Sequence, residues 1–171
     1  MKSKTLRDIL SLFFFVLVAI SAFGQNAPER IHQDIQKQTA QIFDSLINIR
    51  RDLHRYPEIS GKEKRTSEKI AEYLIGLGLE VKTNIGGYGV VGILKGVKPG
   101  KKIAWRADID AMPSKAPDVV DFESRNEGVR HICGHDVHTA VALGIANVLS
   151  SQKEQLEGTI YFVFQPSEET L

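Results

Sequence analysis

The first part of the chain has apolar side chains at helical spacing. Between residues 31 and 53 they return every three or four positions with polar residues between them. This pattern predicts a long amphipathic helix that ends before Pro57. His54, near its end, is expected to be solvated or to cap the helix. Residues 66–77 predict a second helix, with Thr66 as the candidate N-cap residue.

The later part of the chain is dominated by short apolar segments typical of strands. The helical pattern returns once, over residues 137–149, and residues 114–130 are predicted to be a loop. The predicted order is two helices, three strands, one helix and one strand. This order predicts an α/β fold, a layered mixed sheet with flanking helices. Short connections after the first two strands favour some antiparallel pairing. The predicted strands are 80–85, 89–94, 102–107 and 158–164.

The N-terminus has the pattern of a secretory signal peptide. Three basic residues precede an apolar run from Ile9 to Phe23. The small residues Ala22 and Gly24 lie at the −3 and −1 positions of a cleavage site before Gln25. We therefore expect residues 1–24 to be a signal peptide and the protein to be exported, to the periplasm or the extracellular space. A membrane anchor is the alternative, but the run of about 15 residues is shorter than the roughly 20 that span a bilayer.

Composition narrows the class of protein. The 171 residues carry a formal net charge of +1, and 42% of them are hydrophobic. That length suits one ordinary domain, here residues 25–171. No basic block indicates a nucleic-acid partner, and no membrane partner is expected once the signal peptide is removed.

The segment 131–138 concentrates potential metal ligands. It contains the only cysteine and three of the five histidines. Thiolate and imidazole are preferred ligands of zinc-like cations, and the single glycine between Cys133 and His135 can bring both side chains to one point. His138 would share a helix face with His135. The alternative is a buried free cysteine near surface histidines.

Carboxylate pairs follow two of the predicted strands. Asp108 and Asp110 end the third strand, and Glu168 and Glu169 follow the last one. Functional sites gather at the carboxyl ends of strands in sheets of this kind. In a hydrolytic metal site one glutamate of such a pair can bind metal while the other stays free as a general base. The alternatives are a solvated loop and an ordinary acidic turn.

Four segments together resemble one known family. They are Arg50-Arg51-Asp52-Leu53-His54-Arg55-Tyr56-Pro57-Glu58, Arg106-Ala107-Asp108-Ile109-Asp110-Ala111-Met112-Pro113, Cys133-Gly134-His135-Asp136-Val137-His138-Thr139-Ala140 and Phe164-Gln165-Pro166-Ser167-Glu168-Glu169. Their order and spacing resemble the M20 metallopeptidases, in the amidohydrolase branch that includes N-acyl-amino-acid, hippurate and auxin-conjugate hydrolases.

The resemblance implies a site for two divalent metal ions, zinc or manganese, on the catalytic domain of a di-metal exopeptidase-like fold. Cys133, His135 and Glu169 would be metal ligands, and Glu168 would be the general base. The implied reaction is hydrolysis of an amide bond in an N-acyl amino acid or a small peptide.

Four further residues are expected to support this site without binding metal. Asp108, Asp110 and Asp136 would orient the ligands. His138 would do the same or face the substrate.

The family continues past its glutamate pair with further histidine ligands and an inserted lid domain that carries dimer contacts. We therefore expect this chain to be the N-terminal portion of such an enzyme, with a homodimeric parent and little or no activity of residues 25–171 alone. Two other functions stay open. One is a non-catalytic exported metal-binding module, and the other is a hydrolase with Cys133 as its nucleophile.

Overall fold

The computed structural model describes residues 27–170. The predicted signal peptide, residues 1–24, lies outside them. The chain divides into two compact units, residues 1–40 and residues 41–171, and residues 27–40 of the first unit are helical. Within the described residues, no helix has both the length and the apolar character that crossing a bilayer requires.

Residues 27–170 contain three α-helices, which lie close to where the apolar pattern predicts them. Helix α1 ends two residues before Pro57, and α2 and α3 each begin slightly earlier than predicted. Two short 3-10 helices, Lys153–Gln155 and Glu168–Thr170, flank the last strand. The α-helices are α1 (Ala27–Arg55), α2 (Lys64–Gly76) and α3 (His135–Ser151).

Four strands form a mixed sheet in the order β1-β2-β6-β3. The β1–β2 and β2–β6 pairs are antiparallel, and β3 pairs with β6 in parallel. The predicted mixed α/β fold with flanking helices is confirmed. The strands are β1 (Glu80–Ile85), β2 (Gly89–Lys95), β3 (Lys98–Asp108) and β6 (Glu157–Gln165), and a separate two-stranded ladder joins β4 (Met112–Pro113) to β5 (Val129–Arg130).

The start of α2 corrects one prediction. Thr66 lies inside the helix, and its hydroxyl is buried with no hydrogen-bond partner in the part of the chain described here. The capping acceptor is Glu58, whose carboxylate accepts the backbone N–H of Arg65 (3.1 Å) and of Thr66 (2.8 Å). A carboxylate at a helix N-terminus satisfies free N–H groups and interacts favourably with the helix dipole.

The core lies between the sheet and helices α2 and α3. Leu74 of α2 and Phe162 of β6 are completely buried in it. Gly144 of α3 allows α1 to approach closely, because a Cβ at that position would lie 2.7 Å from the Leu46 Cδ1 atom. This packing fixes α3, whose first residue is His135, relative to the strand ends.

We predict that Leu74→Ala lowers the free energy of unfolding by about 2–5 kcal/mol, because it removes buried methyl groups and leaves a cavity. Ile75 is the matched control, since it follows Leu74 on the same helix and is 61% exposed. Ile75→Ala should change the free energy by about 0.5 kcal/mol or less. Urea denaturation measures both, and equal effects would contradict the assignment of the buried face.

Candidate metal centre

The candidate site forms where the parallel strands β3 and β6 end. Asp108 pairs with Gln165 in the sheet, and the Ile109 N–H donates to the Gln165 carbonyl over 3.0 Å. Parallel pairing therefore places the aspartates after β3 next to the glutamates after β6. The N-terminus of α3 supplies the third side, after Gly134 takes a left-handed φ of 82°.

His135 is buried at the centre of these residues, and its tautomer follows from one contact. Its Nδ1 atom lies 2.9 Å from the Asp110 backbone carbonyl, which can only accept a hydrogen bond, so Nδ1 carries the proton. Its Nε2 atom lies 3.9 Å from Glu168 Oε2 and 3.8 Å from Glu169 Oε1. Three potential ligand atoms therefore converge at this point.

This donor set fits a divalent cation. Ligand atoms at 2.0–2.2 Å from a tetrahedral ion lie about 3.3–3.6 Å apart. His135 Nε2 and Glu169 Oε1 are 3.8 Å apart, close to that spacing. Asp108, His135 and His138 form a second group, and in each group the potential ligand atoms lie within 4.8 Å of one another. The two groups share His135. Its Nδ1–H bond to a carbonyl is the usual support of a metal-binding imidazole.

Asp110 connects the two sides of the site. Its Oδ2 atom accepts the hydroxyl of Ser60 (2.6 Å) and the backbone N–H of Glu169 (3.0 Å), and its Oδ1 lies 3.2 Å from His135 Nδ1. Burial raises the pKa of Asp110, but the hydrogen bonds from Ser60 and the Glu169 backbone outweigh it and hold the pKa below its usual value. That Asp110 orients the ligands stays a prediction, and these contacts are the ones through which it would act.

Cys133 lies beside Glu169 but outside both compact groups. Its exposed Sγ lies 3.6 Å from the Met112 sulfur. A hydrogen bond with Glu169, reinforced by partial burial and by the negative charges of Glu169 and Glu168, raises the pKa of the thiol to about 11. A metal ligand must be the thiolate, which a bound cation would favour. The assignment of Cys133 as a ligand stays a prediction.

Asp108 forms an ion pair on the outer side of the site. Its Oδ1 accepts Arg106 Nε (2.8 Å) and Nη2 (2.6 Å), and its Oδ2 lies 3.6 Å from His138 Nδ1. Arg106 Nη2 is also 3.9 Å from Glu168 Oε1. Arg106 was not among the site residues predicted from the sequence. A basic residue two positions before Asp108 on the same strand face is the signal that could have identified it.

Asp136 belongs to a different buried cluster. Its Oδ2 accepts Arg50 Nε (2.8 Å) and contacts His54 Nδ1 (2.9 Å). The other nitrogen of His54 lies 3.1 Å from Asp118, so the prediction of a solvated or capping His54 is wrong: two carboxylates enclose it. Among the described residues, Asp136 makes no hydrogen bond or ion pair with the proposed ligands.

His131 is buried next to this cluster, with its ring centroid 6.4 Å from that of His54. Neither of its ring nitrogens has a hydrogen-bond partner in the described part of the chain. Burial lowers its pKa to about 4, so His131 is neutral at pH 7. His131 lies in the segment predicted to hold metal ligands, but among the described residues it makes no hydrogen bond with the proposed ligands.

We predict that Cys133 reacts slowly with iodoacetamide at pH 8 in the presence of chelator, because a raised pKa leaves little thiolate. Glu169→Gln removes the nearest negative charge and should speed alkylation at least about tenfold, since each unit of lower pKa gives about ten times more thiolate at this pH. The urea-unfolded chain is the reference. A folded chain that reacts as fast as the unfolded one would contradict the geometry.

We also predict that Asp110→Ala weakens zinc binding by about 10–100-fold, because His135 and Glu169 lose the group that holds them. Glu154→Ala is the control, since Glu154 is an exposed acidic residue outside the site. Calorimetric titration with zinc measures both variants. Equal affinity of the two variants would show that Asp110 does not organise the ligands.

Comparison with known proteins identifies the family. Residues 104–171 match the model of peptidase family M20/M25/M40. Thermostable carboxypeptidase 1 of Saccharolobus solfataricus is 44% identical over 82% of this chain and 35% of its own length. N-acetylcysteine deacetylase of Bacillus subtilis is 43% identical over 72% of this chain and 33% of its own length.

A solved structure supports the same assignment. The dinuclear metal-binding M20 peptidase of Bacillus subtilis superposes with a TM-score of 0.70 at 40% identity, over 78% of this chain and 36% of that one. The chain therefore spans about a third of the length of the relatives it matches. Together, the family match, these relatives and the shared fold confirm the resemblance seen in the sequence: the chain belongs to the M20/M25/M40 peptidase family.

Proposed function

We propose that this chain carries part of the active site of a metal-dependent hydrolase that cleaves an amide bond. The observation that carries the proposal is the convergence of His135 Nε2 with the carboxylates of Glu168 and Glu169, at 3.9 and 3.8 Å. The relatives support it, since one is named a deacetylase of N-acetylcysteine and another an N-acyl-L-amino acid amidohydrolase. The substrate proposed here is an N-acyl amino acid or a small peptide.

Cys133, His135 and Glu169 are the proposed ligands of two divalent ions, zinc or manganese. The solved relative described as dinuclear supports two ions. Such ions would polarise the scissile carbonyl and lower the pKa of the attacking water. The chain's own contribution is to hold the ligands in place, through the contacts of Asp110 with His135 and with the backbone of Glu169.

Glu168 is the proposed general base. Its side chain is about one-third exposed, which leaves it accessible to water and substrate. It would take a proton from water at a carboxylate oxygen and deliver it to the leaving nitrogen. Arg106 Nη2 lies 3.9 Å from Glu168 Oε1 and places a positive charge beside the proposed base. His138 is half exposed beside Asp108 and can face the substrate.

A nucleophilic Cys133 is less compatible with this site. Its neighbours Glu168 and Glu169 raise the pKa of the thiol, whereas a cysteine nucleophile needs a lowered pKa or an adjacent base. A non-catalytic metal-binding module would have no need of the free carboxylate that we assign to Glu168. We therefore favour the hydrolase.

We also propose where the protein is located, how the complete enzyme assembles and how active residues 25–171 are alone. Residues 1–24 would direct export, and the complete enzyme would be a homodimer. Because the chain spans about a third of its relatives, we propose that residues 25–171 alone have little turnover, so activity is best measured in the natural protein that carries these residues.

We predict that Glu168→Gln lowers kcat for hydrolysis of an N-acetyl amino acid by about 10²–10⁴-fold, because the amide keeps the shape of the side chain but cannot accept the proton. The metal content of this variant should stay unchanged. Glu169→Gln should instead lower metal content. Metal analysis and a turnover assay separate the two effects.

Chelator treatment distinguishes the alternatives. The proposal requires that chelator abolish turnover and that zinc or manganese restore it. An enzyme that survives chelator and is inactivated by iodoacetamide would be a cysteine hydrolase, and the proposal would be wrong. A Glu168→Gln variant with normal kcat would exclude Glu168 as the base.

A further inference from the structure

Glu63 is a completely buried carboxylate on the connection between α1 and α2. Its Oε1 atom accepts two hydrogen bonds from one residue, the backbone N–H of Ser167 (2.8 Å) and the Ser167 hydroxyl (3.2 Å). Within the described residues its Oε2 atom has no hydrogen-bond partner. In the part of the chain that the structure describes, the hydrogen bonds to this carboxylate therefore come only from a residue 104 positions away, directly before Glu168.

A glutamate is rarely buried completely without a paired charge, because removing it from water is costly. No cation within the described residues forms an ion pair with Glu63 to offset that cost. Within the described residues, the hydrogen bonds that offset this cost are the two from Ser167.

Ser167 has a backbone conformation that needs support. Its φ is 55°, in the left-handed region that side chains other than glycine rarely adopt. At this residue the chain leaves β6 and enters the 3-10 turn Glu168–Thr170. The turn brings the carboxylates of both glutamates to within 4 Å of the same nitrogen of His135.

The same connection holds the second glutamate by another route. Ser60 donates to Asp110 Oδ2 over 2.6 Å, and that oxygen accepts the Glu169 N–H over 3.0 Å. Glu63 thus fixes the backbone before Glu168, while Ser60 and Asp110 fix the amide of Glu169. Ser60 and Glu63, three positions apart, therefore act on the backbone on both sides of Glu168.

We propose that Glu63 is a positioning residue for Glu168 and Glu169, acting by holding Ser167 in the left-handed conformation. Its relevance to catalysis rests on the proposed function, but its effect on the turn does not. The role requires an acceptor oxygen and not a negative charge. A glutamine at position 63 keeps that oxygen, whereas a leucine of similar size does not.

The first test is amide hydrogen exchange in the metal-free chain. Glu63→Leu should speed exchange at the Glu169 amide at least tenfold, although its acceptor Asp110 is untouched, and should leave the Phe162 amide in β6 protected. Glu63→Gln should resemble wild type. Glu58→Ala is the matched control, since it removes a carboxylate of the same connection that caps α2 and does not contact Ser167.

The second test is zinc titration of the same variants. Glu63→Leu should weaken binding at least tenfold, and Glu63→Gln should restore it. Adding Ser167→Gly to Glu63→Leu should recover part of the loss, because glycine adopts a positive φ freely. If Glu63→Leu does not fold, Ser167→Pro replaces it, since proline fixes φ near −65° and removes the donor N–H. It should weaken zinc binding to the same extent.

Three results would overturn the proposal. One is Glu63→Gln being as damaging as Glu63→Leu, which would assign the role to charge. Another is Glu58→Ala changing the Glu169 amide and zinc binding as much as Glu63→Leu does. The third is Ser167→Pro binding zinc like wild type. If wild type itself binds no zinc, the metal proposal fails, and the exchange rates at Glu169 still decide the role of Glu63.

Discussion

The hydrogen bonds of Asp110 are the interaction on which the candidate site depends. The backbone carbonyl of this residue fixes the tautomer and direction of His135, and its carboxylate holds the amide of Glu169 and the hydroxyl of Ser60. One residue at the end of β3 therefore joins a helix, a second strand and the α1–α2 connection. A metal site needs ligands held in place before the ion arrives, and these contacts supply that order.

The sheet explains why distant residues meet there. Because β3 and β6 are parallel neighbours, the two acidic pairs leave the sheet at the same edge although about sixty residues separate them. Helix α3 connects these strands and begins at His135, so its N-terminus reaches the same edge. The left-handed residues Gly134 and Ser167 then turn the chain sharply enough for side chains from all three elements to face one another.

The positions of the helices and strands, and the edge of the sheet that carries the candidate site, could be predicted from the sequence because both depend on local patterns. Among the described residues, spacing of apolar residues located the α-helices and the four strands of the main sheet, and carboxylates after strands located the site. Contacts between distant segments were not predictable in the same way. Glu63 resembles any charged loop residue in sequence, and His54 resembles a solvated helix end. Their burial depends on Ser167 and on Asp118 and Asp136, which no local pattern connects to them.

The central claim is that a sulfur, an imidazole and a carboxylate of this chain are ligands in one centre of divalent ions. X-ray absorption at the zinc edge, on the zinc-loaded chain and on its Cys133→Ser variant, tests it most directly. The account predicts one sulfur at about 2.3 Å with nitrogen and oxygen ligands at about 2.0–2.2 Å, and loss of the sulfur in the variant. A zinc shell that contains only nitrogen and oxygen in both proteins would contradict it.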